Sequence, residues 1–104
     1  MVKIVWTEQS IQDLNDIGVF IAIDSERYAR EVIRTLFESV NLVESHPKIG
    51  RIVPEYNHKF IREIIRGSYR IVYKIVDSNR IDIITVHHAA RLLKIPRIPR
   101  KKKT

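Results

Sequence analysis

No cysteine occurs in the 104 residues. That excludes disulfides, a thiolate nucleophile and any zinc site built on thiolates. The four histidines, His46, His58, His87 and His88, lack the spacing that sets two metal ligands on one helix face, so neither a metal nor another cofactor is expected. No apolar run approaches the roughly 20 residues of a membrane span, and the N-terminus lacks a signal-peptide pattern. A cytoplasmic protein without membrane contact is the expectation. There are no internal repeats and no sign of a second domain. The length suits one modest core, and the aliphatic content is high enough to build it without a covalent or metal staple.

What the chain has is positive charge, unevenly placed. The net charge is +7. Residues 94–104 hold six Lys/Arg and no acid, leaving +1 for residues 1–93. Residues 1–47 have four Lys/Arg against eight Asp/Glu, net −4. Residues 48–93 have nine against four, net +5. Such segregation marks an electrostatic footprint for nucleic acid or an acidic partner, and equally a solvated basic face followed by a basic tail.

The stretch from Phe60 to His88 organises the rest. It reads as three strands, Phe60–Arg66, Tyr69–Val76 and Arg80–His88, rich in Ile, Val, Tyr and Phe. Gly67-Ser68 makes the first turn and Asp77-Ser78-Asn79 the second. Ahead of it, Val2–Trp6 is a short strand and Thr7 an N-cap, with Glu8 in the first turn. A helix then runs to about Ile23, with Ile11, Leu14, Ile17 and Ile21 as its core stripe. After Asp24-Ser25 a second helix runs from Glu26 to Ser45, with Ala29, Val32, Ile33, Leu36, Val40 and Val43 inward. So short a joint predicts a helical hairpin, closed by Pro47 and Gly50. Arg51–Val53 is a short edge strand or an extended lead-in, since Pro54 argues against a central strand. Residues 55–59 form a polar loop. The helices must cover one sheet face, leaving the other for solvent or a ligand. Ala89–Leu93 could add a helical turn. Pro96 and Pro99 then end regular structure, and residues 94–104 are expected to be a flexible tail.

The last hairpin decides which histidine lies opposite Arg70. A two-residue loop at Ser78-Asn79 sets Arg70 against His87 and Tyr69 against His88. A three-residue loop sets Arg70 against His88. Apolar residues fall on both strand faces, so alternation leaves both registers open.

Strand, helical hairpin and antiparallel meander carry a W-T start, then H-P-K-I-G-R, R-E-I-I-R-G-S-Y-R-I-V-Y and V-H-H-A-A-R-L-L in order. In these features the chain resembles the RelE/ParE toxin superfamily of type II toxin–antitoxin modules over about residues 2–93. The resemblance implies an α+β fold, β-α-α-β-β-β, with the helical hairpin on one face of a small twisted antiparallel sheet. It implies a single toxin domain, residues 1–93, a cognate antitoxin that wraps and masks it, and a role of the plasmid-stabilisation kind. The leading expectation is a RelE-like endoribonuclease that cuts mRNA on the ribosome. The alternatives are a ParE-like inhibitor of DNA gyrase without nuclease activity, and a degenerate toxin kept as an antitoxin-binding module.

Metal-free RNA cleavage needs the 2′-OH deprotonated, the phosphorane charge stabilised and the leaving oxygen protonated. Arginine matches phosphate oxygens, and histidine serves as acid or base near neutral pH. By resemblance Arg70 would stabilise the transition state, and His88 with Glu55 would share the acid–base work. Arg51, Arg62, Arg66, His87 and Arg91 would hold RNA or the partner, with Arg91 capping the site or pairing with a carboxylate such as Glu63. Tyr73 is expected in the core. The chain departs from the most active nucleases in offering only Lys48 and Lys59 ahead of the sheet, and a terminal H-x-x-R also occurs in ParE-like members.

Overall fold

The computed structural model describes residues 2–89. The expected tail, Arg91 and most of the expected turn at 89–93 lie outside the described residues. β1 (Lys3–Trp6) leads into α1 (Glu8–Ala22) and α2 (Glu26–Ser45), followed by β2 (Arg51–Ile52), β3 (Ile61–Arg66), β4 (Tyr69–Asp77) and β5 (Arg80–His88). The helices begin at side-chain caps. Thr7 Oγ1 accepts from the Ser10 N–H at 3.2 Å and Ser25 Oγ from the Tyr28 N–H at 3.1 Å, each satisfying a first-turn donor that has no partner within the helix. Gly67 supplies the positive φ of 55° that the β3–β4 turn requires of its first central residue.

The sheet order is β1-β5-β4-β3-β2. β2 to β5 pair antiparallel, as expected. β1 instead lies parallel to β5, with Ile4 opposite Ile81 and Trp6 opposite Ile83, so the sheet is mixed. The path from β1 to β5 runs through both helices and the meander, and parallel neighbours need a long connection of this kind.

The core lies between hairpin and sheet. Leu14, Leu36, Val40 and Val43 meet Ile71, Tyr73, Ile81, Ile83 and Val86. Ile11, expected in the stripe, is 50% exposed, because the strip of α1 that α2 and the sheet cover is narrower than its 3/4 pattern. Tyr73 is fully buried. Its hydroxyl donates to the Pro47 carbonyl at 2.7 Å and accepts from the Gly50 N–H at 2.9 Å, fastening the exit of α2 to the sheet. On the opposite face a smaller cluster joins Val53, Ile61 and Val72, with Tyr56 and Ile84 against it. Loop 53–60 thus covers part of the face expected to be open, which explains the apolar residues on both sides of these strands.

The β4–β5 loop is the two-residue one, with Asp77 opposite Arg80. An extra residue on β4 at Val76 is offset by one on β5 at Ile84. The register therefore returns to its starting value, and Arg70 lies opposite His87 and Tyr69 opposite His88.

Candidate functional site

Strand parity collects the site. Tyr69, Ile71, Tyr73 and Ile75 of β4 turn to the helices, so Arg70 and Val72 turn to the other face. Cross-strand neighbours share a face. His87, opposite Arg70, Glu63, opposite Val72, and Arg51, opposite Glu63, therefore join it. Loop 53–60 is held by Val53 and Tyr56 in the small apolar cluster and brings Glu55 over the same surface.

Four of these side chains form one network. Arg70 Nε donates to Glu63 Oε1 at 2.5 Å. Arg70 Nη1 and Nη2 donate to Glu55 Oε2 and Oε1, both at 3.0 Å, a bidentate fork. Arg51 Nε donates to Glu63 Oε2 at 2.6 Å. Side-chain exposure rises outward: 0% for Glu63, 10% for Arg70, 39% for Glu55 and 61% for Arg51. A carboxylate as buried as Glu63 is tolerable only with both oxygens paired. Among the described residues no buried side-chain nitrogen or oxygen lacks a partner.

The electrostatics follow from that packing. Hydrogen bonding to Arg70 holds the Glu55 carboxyl below its usual range, against the opposing effect of its burial. Glu55 in turn raises Arg70 above the usual arginine value; burial opposes this and Glu63 adds to it. Arg70 is thus a permanent cation with three donors committed to protein carboxylates. Glu55 is a carboxylate made less basic by its partner, and two arginines balance two glutamates.

Of the residues singled out from the sequence, Arg70, Glu55 and Arg51 come together, with His87 beside them across the strand pair. His88 lies on the helix side, its ring edge-on to Tyr69 with centroids 5.4 Å apart. Arg62 and Arg66 also face the helices. Arg62 donates to the Gly50 and Lys59 carbonyls at 2.9 and 3.0 Å, and Arg66 to Ser39 Oγ at 2.9 Å. Arg91 lies outside the described residues. Glu63 is the member that sequence reasoning did not place in the site; its signal was a lone acid inside an apolar strand between two arginines. Asp13 was also missed. Its Oδ2 accepts from Thr85 Oγ1 and, at 3.0 Å, from the Val86 N–H, tying α1 to β5 beside the bulge. Among the described residues no group of three His, Asp or Glu could hold a metal ion, and no helix is long and apolar enough to cross a membrane.

The comparisons with known proteins agree with this architecture. The model of the family described as the ParE toxin of the type II toxin-antitoxin system, parDE, matches residues 4–93. A curated protein of Sinorhizobium fredii named "Putative toxin Y4kP" is 30% identical over 89 residues, covering 84% of this chain and 88% of that protein. Among solved structures, the chain resembles one from the chromosomal ParDE TA system of P. aeruginosa, with TM-score 0.68 and 18% identity over 85% of this chain and 96% of that one. It also resembles a chain of the toxin-antitoxin complex RelBE2 of Mycobacterium tuberculosis, with TM-score 0.55 and 19% identity over 84% and 96%. At those identities the two structures speak to fold alone. The chain belongs to the ParE toxin family, within the RelE/ParE superfamily.

Proposed function

We propose that this chain is a toxin that arrests growth by binding DNA gyrase rather than by cutting mRNA, and that a cognate antitoxin masks it until released. One observation carries the choice between the two activities. Arg70, the cation a metal-free ribonuclease would aim at a scissile phosphate, has Nε and both Nη atoms engaged by Glu63 and Glu55. The same fork makes Glu55 a poorer base, so charge stabiliser and candidate base neutralise each other. The gyrase target is what resemblance to the ParE branch implies. The antitoxin follows from family membership, and the structurally similar ParDE and RelBE2 proteins each belong to a toxin-antitoxin system.

The nuclease reading has an observation of its own: the register sets His87 opposite Arg70, on the face that Glu55 overhangs. It requires the Glu55–Arg70 fork to open on RNA. The discriminating experiment adds the folded, antitoxin-free chain to a purified translation system with a defined mRNA and maps the ends by primer extension. The binding-type toxin leaves the message intact. Ribosome-dependent cuts that vanish in Glu55→Gln would replace it with the nuclease.

A further inference from the structure

Glu55 reaches Arg70 from a loop, whereas the other carboxylate on that arginine, Glu63, comes from the sheet itself. Without Glu55 the remaining three charges of the network would sum to one positive charge, aimed out of the sheet from a guanidinium 10% exposed. Directly opposite Arg70 on β3 stands Ile65, on the same face and 48% exposed. The free chain thus presents a cationic fork beside an apolar side chain, with its own glutamate laid across the fork.

We propose that Arg70 and Ile65 form a docking site for an extended acidic peptide segment of a protein partner, and that Glu55 is the internal occupant this segment displaces. The geometry favours a peptide over RNA. The seat is already filled by a carboxylate through two parallel hydrogen bonds, so a glutamate or aspartate side chain replaces it like for like, at little net electrostatic cost. The neighbouring position offers an aliphatic contact rather than an aromatic stacking platform. Arg51, the arginine next along the face, is already committed to Glu63. The occupant is an extended segment with an acidic residue and an apolar one two positions apart, which sets both side chains on one face about 7 Å apart, in reach of Arg70 and Ile65 on their neighbouring strands. The apolar contact, absent from the Glu55-closed state, drives the exchange. This inference does not depend on which cellular target the toxin meets.

The test uses the full chain and a labelled short peptide of repeating Glu-Ser-Leu-Ser, which in extended form sets glutamate and leucine on one face, read by fluorescence anisotropy. Glu55→Gln removes the competing charge and should tighten binding about tenfold, the factor worth one charge-assisted contact. Glu38→Gln makes the same change of net charge on exposed helix surface and should shift affinity by no more than about twofold, as a screened distant charge does. A peptide with glutamine for glutamate should lose the gain. In the wild-type chain, saturating peptide should speed amide exchange in residues 54–59 as the loop lifts. Equal gains from the two variants, or loop exchange unchanged at saturation, would overturn the proposal, and the exchange experiment decides even if Glu55→Gln fails to fold. Tighter binding of oligouridylate than of the peptide to Glu55→Gln would overturn the assignment of the occupant.

Discussion

Arg70 gives three of its donors to two carboxylates, and removing it is a question of folding before it is one of function. Arg70→Ala leaves Glu63 fully buried with Arg51 as its remaining ion-pair partner. We expect the variant to lose about 3 kcal/mol of unfolding free energy in urea, the usual cost of breaking a buried pair from one side. A loss below about 1 kcal/mol, the size of a surface pair, would mean the network bears little weight. Glu55 makes a different prediction. Its folded pKa lies below the unfolded reference of 4.5, so its stabilisation is fully present above that value and fades as pH falls through the folded pKa. Acid titration of stability should show a steeper loss below about pH 4.5 in the wild type than in Glu55→Gln. Parallel curves would contradict the fork. The effect is small because Glu55 is more than a third exposed.

Among the elements, the α2 exit and the β3–β4 pair are the most tightly joined. A Cβ on Gly50 would sit 2.5 Å from the Glu63 carbonyl oxygen and 2.7 Å from Tyr73 Oη. Gly50→Ala should therefore destabilise by about 2 kcal/mol, as overpacking does, measured by urea or thermal unfolding. Tyr73→Phe keeps the ring but strands the Pro47 carbonyl and the Gly50 N–H, and should cost about 1–2 kcal/mol. An unchanged midpoint in either variant would show that this corner can relax. Element bounds were legible in the sequence because caps and periodicity are local: Thr7, Ser25 and Gly67 act within a few residues of themselves. The parallel seat of β1, the two offsetting bulges and the folding of loop 53–60 onto Val72 were not legible, because each depends on partners distant in sequence. The site divides the same way. Arg70, Glu55 and Arg51 could be singled out by residue type and resemblance. That they neutralise one another through Glu63 follows from a register that the alternation of apolar residues left open.

For the whole molecule, the sheet's two faces carry unlike tasks. The helix side holds the main core, with Arg62 and Arg66 at its edge donating to the Gly50 carbonyl and to Ser39 of α2. The other side holds the charge network and the loop that covers part of it. Arg62 and Arg70 are thus drawn into the fold while Lys48, Arg51, Lys59, Arg66 and Arg80 stay exposed, and their excess positive charge alone does not make that half a phosphate-binding surface. The most direct test of the central claim is a supercoiling assay with purified DNA gyrase, relaxed plasmid and the folded, antitoxin-free chain. A gyrase-binding toxin causes a loss of supercoiling that rises with chain concentration. Full gyrase activity at saturating chain, alongside growth arrest by the same protein in cells, would contradict it.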